Sequence, residues 1–161
     1  MTDLASRAQA LLDMHHSPAT LVLPTVWDVW SARTVVDAGF GALTIGSHPV
    51  ADSRGQRDNE GMTIDDALDS VRRITAAVDV PVSADMESGY ALAPAELVDR
   101  VLEAGVAGIN VEDTVHSEGR VRSPAEHAEY IGAIRAAADS AGVGRGANRP
   151  DELRVLGGRP Y

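Results

Sequence analysis

The chain has 161 residues, 24 acidic against 14 basic, a formal net charge of −10 and no cysteine. That length carries one domain with a sizeable core; the acidity argues against a binder of nucleic-acid backbone and lends nothing to an anionic membrane surface. With no cysteine and every basic residue an arginine, the chain offers no disulfide, thiolate nucleophile, Schiff-base lysine, pyridoxal anchor or P-loop.

No apolar run approaches the ~20 residues of a spanning helix. The start, Met1-Thr2-Asp3-Leu4, lacks the basic and apolar regions of a secretory signal, so a cytoplasmic protein is expected. Thr2 or Asp3 can cap a first helix with Leu4, Ala8, Leu11 and Leu12 at helical spacing. His15 and His16 suit its C-terminus. Leu21 to Pro24 reads as a buried strand and Thr25 to Asp28 as the loop after it. Ser31 to Ala38 reads as a helix closed by Gly39. Ala42 to Ile45 is the next strand, followed by Gly46-Ser47-His48. Pro49 to Gly61 is polar and irregular, longer than the usual 2–6 residues of a βα connection, and suits a lid.

Thr63 caps a helix with Asp66 three residues on. Its apolar face is Ile64, Ala67, Leu68, Val71, Ile74 and Val78. Val80 to Ala84 is the third strand, and Asp85 and Glu87 follow at its carboxyl end. Acids at i and i+2 of an extended segment point the same way. They read equally as solvated loop acids or as oxygen donors for a hard cation such as Mg2+. Pro94 opens another helix with Leu97, Val98, Val101 and Leu102 inward and Gly105 at its end. Ala107 to Val111 is the fourth strand, again ending in acids, Glu112 and Asp113. Ser123-Pro124-Ala125-Glu126 is a capping box opening a helix to about Ser140.

Four βα repeats with short connections imply a parallel α/β sheet with right-handed crossovers. The polar clusters all follow strands, as on the active face of a (β/α)8 barrel or in the crevice of an open α/β sheet. After Val143 the pattern stops. Residues 1–143 carry a net charge of −12 and residues 144–161 carry +2, with a Gly/Arg-rich composition. The tail reads as the product of a shifted reading frame in preference to a solvated extension.

Five ordered motifs resemble the isocitrate lyase/phosphoenolpyruvate mutase superfamily, in its phosphoenolpyruvate mutase-like branch. They are Pro24-Thr25-Val26-Trp27-Asp28-Val29-Trp30-Ser31-Ala32-Arg33, Thr44-Ile45-Gly46-Ser47, Arg57-Asp58-Asn59-Glu60, Asp85-Met86-Glu87-Ser88-Gly89-Tyr90 and Val111-Glu112-Asp113. The resemblance implies the first four βα units of a TIM (β/α)8 barrel over residues 1–143. It also implies enolate chemistry on a small α-oxo acid, breaking or forming a C–C or P–C bond. Mg2+ is the implied cofactor, with Asp85 as direct ligand and Glu87 and Glu112 acting through water. Gly46 and Ser47 would hold the substrate carboxylate, Ser47 and Asp58 (the latter on the lid) would assist group or proton transfer, and Trp27, Asp28, Gly89 and Tyr90 would line the pocket. Trp27 equally suits a core position. His48, His116 and His127 are assigned no catalytic role. Arg120 and Arg122 either answer a negative substrate or pair with acids such as Glu118.

Two departures narrow the reading. The Lys-Lys-Cys-Gly-His motif of the lyase members has no counterpart, which speaks against isocitrate or methylisocitrate cleavage. Ala147-Asn148-Arg149 lacks the strand context of the family's fifth-strand arginine. An inactive truncated fragment and an unrelated α/β small-molecule binding module are the alternatives. A half-barrel's open edges would favour homo-oligomers.

Overall fold

A computed structural model of the chain describes residues 4–142. The expected caps Thr2 and Asp3, the tail 144–161 and its Ala147-Asn148-Arg149 lie outside the described residues. The elements are α1 (Leu4–His16), β1 (Thr25–Val26), α2 (Val29–Asp37), β2 (Leu43–Ile45), α3 (Ser47–Ser53), α4 (Ile64–Thr75), β3 (Val82–Asp85), α5 (Pro94–Glu103), β4 (Gly108–Asn110), β5 (Thr114–Val115), β6 (Arg120–Val121) and α6 (Pro124–Ser140). Strands β1 to β4 form one parallel sheet in chain order. This is the arrangement of four successive βα units of a TIM barrel.

The register places Thr25, Thr44, Ser83 and Gly108 side by side, with Val26, Ile45, Ala84 and Ile109 one step on. Side chains alternate along a strand, so the second set faces the helices. Val26, Leu43, Ala84 and Ile109 are buried there against Ala32 of α2, Leu68 and Ile74 of α4, Leu97 of α5 and Ile134 of α6. The opposite face is small and polar. Helix α1 packs through Leu11 against Ala42 and Ala107. Leu11 Cδ2 comes to 2.9 Å of where a Cβ on Gly108 would sit, so that strand position accepts only glycine without movement.

Two of the expected helix caps form as read. Thr63 accepts the Asp66 N–H, and Ser123 with Glu126 makes a full capping box. Three expectations moved. The apolar run Leu21 to Leu23 is not a buried strand: Val22 is exposed, and pairing begins with the Pro24 carbonyl accepting from Thr44 N–H (3.0 Å). Pro24 has no N–H to give to a ladder, so the paired strand is Thr25–Val26. Helix α2 also starts earlier, capped by Asp28. The stretch expected as one irregular loop from Pro49 to Gly61 is helical at its start. In α3 the proline falls in the first turn, where it is tolerated, and Val50 and Ala51 are buried.

The connection from Thr114 to Val121 holds a feature with no counterpart in the sequence reading. Strands β5 and β6 form a small antiparallel hairpin joined by a 3-10 turn, His116–Glu118, and Gly119 at φ +61°. It stands directly after the fourth strand and brings His116 and Arg122 to the acids there.

Candidate functional site

Asp85 ends β3 and is in register with Asn110 at the end of β4, so both side chains point to the polar face. Glu87 lies two residues past β3, and Glu112 two past β4. The loops join where the Glu112 N–H donates to the Glu87 carbonyl (2.8 Å) and the Met86 N–H to the Asn110 carbonyl (3.0 Å). The three acids predicted from the strand ends are therefore on neighbouring loops at the carboxyl end of the sheet.

Each carboxylate is oriented by specific donors. Asp85 accepts the Ser47 hydroxyl (2.9 Å) and the Glu87 N–H (3.0 Å). Glu87 is only 3% exposed. It accepts the Tyr90 hydroxyl (2.8 Å) and the Glu60 N–H. Glu112 is hydrogen-bonded to His116 Nε2, which also lies 3.9 Å from Glu87. Glu60 in turn accepts the Ser88 hydroxyl and the Tyr90 N–H (2.8 Å). The loop that carries Asp58 thus docks on the acid-bearing loop through Glu60. Asn59 and Glu60, with Glu87, Tyr90 and Ala91, all sit at positive φ, a conformation uncommon for residues with a side chain. Both docking segments are held in strained backbone by these bonds.

The other predicted residues divide. Ser47 reaches the acids. Asp58 faces His48, 3.1 Å from Nδ1, with Asp52 3.2 Å from Nε2; the hydrogen bond to Asp58, then the charge of Asp52, raises the His48 imidazole above its ordinary range. The Gly46 N–H is spent on the Val26 carbonyl (3.2 Å), so it cannot also donate to a ligand. The need for glycine there is spatial: a Cβ would stand 2.7 Å from Thr25 Cγ2 and 3.1 Å from Pro49. Asp28 is spent on the α2 cap, accepting the Ser31 N–H at 2.7 Å. Trp27 and Asp28 border a groove of about 350 Å³ shared with Trp30, Arg54 and Arg73. Tyr90 points its hydroxyl at Glu87. Gly89, at φ +95°, packs where a Cβ would meet the Tyr130 hydroxyl at 2.3 Å.

Sequence reasoning missed Glu60 as a docking group, His116 as the partner of Glu112, and Arg122. His116 and Glu112 stand four apart, a weak signal in the sequence; Glu60 meets Glu87 across 27 residues, and Arg122 meets Glu112 across 10 and Ser88 across 34.

Burial pushes the Glu87 carboxyl above its ordinary range, against the opposing bonds from Tyr90 and Glu60, with Asp58 and Asp85 adding repulsion. Folding thus favours the protonated form. That contribution is complete below the unfolded glutamate value and is lost as pH rises through the higher folded one. Glu87→Gln is accordingly expected to raise the Tm of the metal-free protein near pH 7, since the Tyr90 hydroxyl can reverse to accept from the amide. The gain should shrink to nothing below about pH 4, where Glu87 is itself neutral. Melting curves over this range check it; an unchanged or lower Tm at neutral pH would refute it.

The donor set fits a hard divalent ion. It is all oxygen, without sulfur, and the Asn110 side-chain oxygen is buried with no hydrogen-bond partner on the face it shares with Asp85. Among the described residues no three His, Asp or Glu side chains form a ready cage. A bound Mg2+, which takes one or two protein carboxylates directly, would have to complete its shell with waters.

The sequence model of phosphoenolpyruvate phosphomutase matches residues 11–145. The phosphoenolpyruvate phosphomutase of Streptomyces hygroscopicus is 33% identical over 133 residues, covering 78% of this chain and 42% of its own. A solved structure from Burkholderia cenocepacia J2315 superposes with a TM-score of 0.83 at 37% identity, over 94% of this chain and 60% of its own. The 2,3-dimethylmalate lyase, a PEP mutase/isocitrate lyase superfamily member, gives a TM-score of 0.75 at 28% identity, over 88% of this chain and 51% of its own. Matches also include 2-methylisocitrate lyases and an oxaloacetate decarboxylase. The chain spans about half the length of the curated relatives it matches.

Proposed function

The chain belongs to the phosphoenolpyruvate phosphomutase family, and from that premise we propose that it carries the Mg2+-facing part of a site for lyase- or mutase-type chemistry on a small α-oxo acid. The observation that carries this reading is that Asp85 and Asn110 share one face at the paired ends of β3 and β4, with the Asn110 oxygen unpartnered and Glu87 and Glu112 on the adjoining, backbone-paired loops. Asp85 would hold the ion directly, with Glu87 and Glu112 acting through its waters. When bound, Mg2+ supplies Lewis acidity to the oxygens of an α-oxo acid, stabilising charge that develops as the adjacent bond breaks.

The protein's own groups have separable tasks. Ser47 donates to Asp85 and holds its carboxylate in one rotamer. Glu60 and Tyr90 do the same for Glu87. Asp58, on the docked lid, stands with His48 as a carboxylate–imidazole pair able to hold a proton. The docked lid would exclude water from the acids. The missing cysteine and lysine speak against isocitrate-type cleavage, which leaves P–C rearrangement and oxaloacetate or related C–C cleavage as the candidates.

A second reading is that these 161 residues, which span about half the length of the curated relatives, bind the ion without turning substrate over. Incubating the purified chain with oxaloacetate, phosphonopyruvate and 2-methylisocitrate, with Mg2+ and with chelator, separates the two. Mg2+-dependent product from either of the first two supports catalysis. Mg2+ binding without product supports the second reading. Neither binding nor product overturns both.

A further inference from the structure

Arg122 follows β6 and meets both acid-bearing loops at once. Its Nη2 donates to the Ser88 carbonyl (2.9 Å), on the loop of Asp85 and Glu87. Its Nη1 donates to the Glu112 carbonyl (3.0 Å), and its backbone N–H to the Asp113 carbonyl (2.7 Å). The guanidinium lies 4.3 Å over the Tyr130 ring. The Tyr130 hydroxyl donates to the Leu92 carbonyl (3.2 Å) and fills the space that a Cβ on Gly89 would take. Arg120, two residues earlier, instead pairs with Glu118 (2.5 Å) and Glu126 (3.2 Å).

The two loops touch directly where the Glu112 N–H meets the Glu87 carbonyl. That bond and the one from the Met86 N–H to the Asn110 carbonyl both lie within two residues of the strand ends, which leaves the outer parts of the loops free to undergo rotation about them. A planar fork with donors to both loops removes that rotation, and a lysine ammonium has no such geometry. We infer that Arg122 is a positioning residue, whose guanidinium locks the Asp85/Glu87 loop against the Glu112 loop and thereby sets the spacing of the acids that receive the cation. This rests on the reading of those three acids as the cation-facing groups. The Tyr130 ring beneath the guanidinium is the seat that keeps the fork in plane.

The sign of the metal effect separates this role from simple electrostatics. Removing a positive charge near a cation site should tighten cation binding by Coulomb's law; loss of the clamp should weaken it. The variants Arg122→Met and Arg122→Lys, with Arg120→Met as control, are compared with the unaltered 161-residue chain. Mg2+ calorimetry is expected to show about 10- to 100-fold weaker binding for both Arg122 variants and no weakening for the control. Hydrogen exchange is expected to quicken in residues 86–92 and 111–115 together, with β2 and α4 unchanged.

Tighter binding in Arg122→Met, full retention of affinity in Arg122→Lys, or unchanged exchange in both segments would overturn the inference. If Arg122→Met does not fold, Arg122→Lys decides, since it keeps the charge and loses the fork. If the unaltered chain gives no Mg2+ heat, the metal reading fails, and paired quickening of exchange still decides whether Arg122 clamps the loops.

Discussion

Asp85→Ala is expected to abolish the heat of Mg2+ binding and, where the chain turns over substrate, to lower kcat/KM by about 10³-fold, the worth of several kcal/mol of lost Lewis-acid stabilisation. Two opposing effects accompany the loss of this carboxylate. Asp85 repels the buried Glu87 carboxylate, so its removal relieves Glu87. It also strips the acceptor from the Ser47 hydroxyl and the Glu87 N–H, which costs about 1–3 kcal/mol if the groups stay dry. Asp85→Asn keeps an oxygen for one of those donors and separates the two effects. It should hold the fold better than alanine while still losing most of the metal heat. Calorimetric titration of the three proteins at neutral pH is the check. Heats from Asp85→Ala equal to those of the parent would remove the site assignment.

Leu97→Ala should be the most damaging simple truncation in the scaffold behind the site. Leu97 is fully buried on α5, in the cluster that joins α4, α5 and α6 to the helix-facing side of the sheet. Truncation removes buried methyl groups and leaves a cavity that a packed core closes only in part. The expected loss is about 2–5 kcal/mol, a large share of the stability of a domain this size. Urea denaturation gives the measure, with a lower midpoint at unchanged slope as the expected form. Leu102→Ala, on the same helix but only partly buried, should cost clearly less. Equal losses would mean that α5 does not seat on the sheet by its Leu97 face.

Much of the scaffold is legible because its determinants are local. Thr63 and Ser123 announce helix starts because the groups they satisfy lie three residues away. The α4 and α5 faces repeat with helical period. Asp85, Glu87 and Glu112 could be singled out because each follows a β-branched run where a parallel sheet exposes its carboxyl end. The errors are also physical. Leu21 to Leu23 has strand composition, yet pairing starts at Pro24 because the ladder must begin where a neighbour's N–H finds a carbonyl. Helix α3 was hidden by Pro49 and by polar residues that only the burial of Val50 and Ala51 turns into a helix face. Helix α2 starts at Val29 and not at Ser31 because the Asp28 carboxylate caps it.

By itself the sequence determined four βα repeats, the caps of the later helices, and acids at two strand ends, since period-two and period-3.6 patterns and three-residue hydrogen bonds are complete within short segments. Tertiary structure alone decided how those acids are held. Glu60 reaches Glu87 across 27 residues and Arg122 reaches Ser88 across 34, and Asn59, Glu60, Glu87 and Tyr90 take left-handed backbone without glycine to mark it. Such contacts exist only once parallel pairing has set Asp85 beside Asn110 and brought the Glu60 loop and the hairpin onto the same end of the sheet.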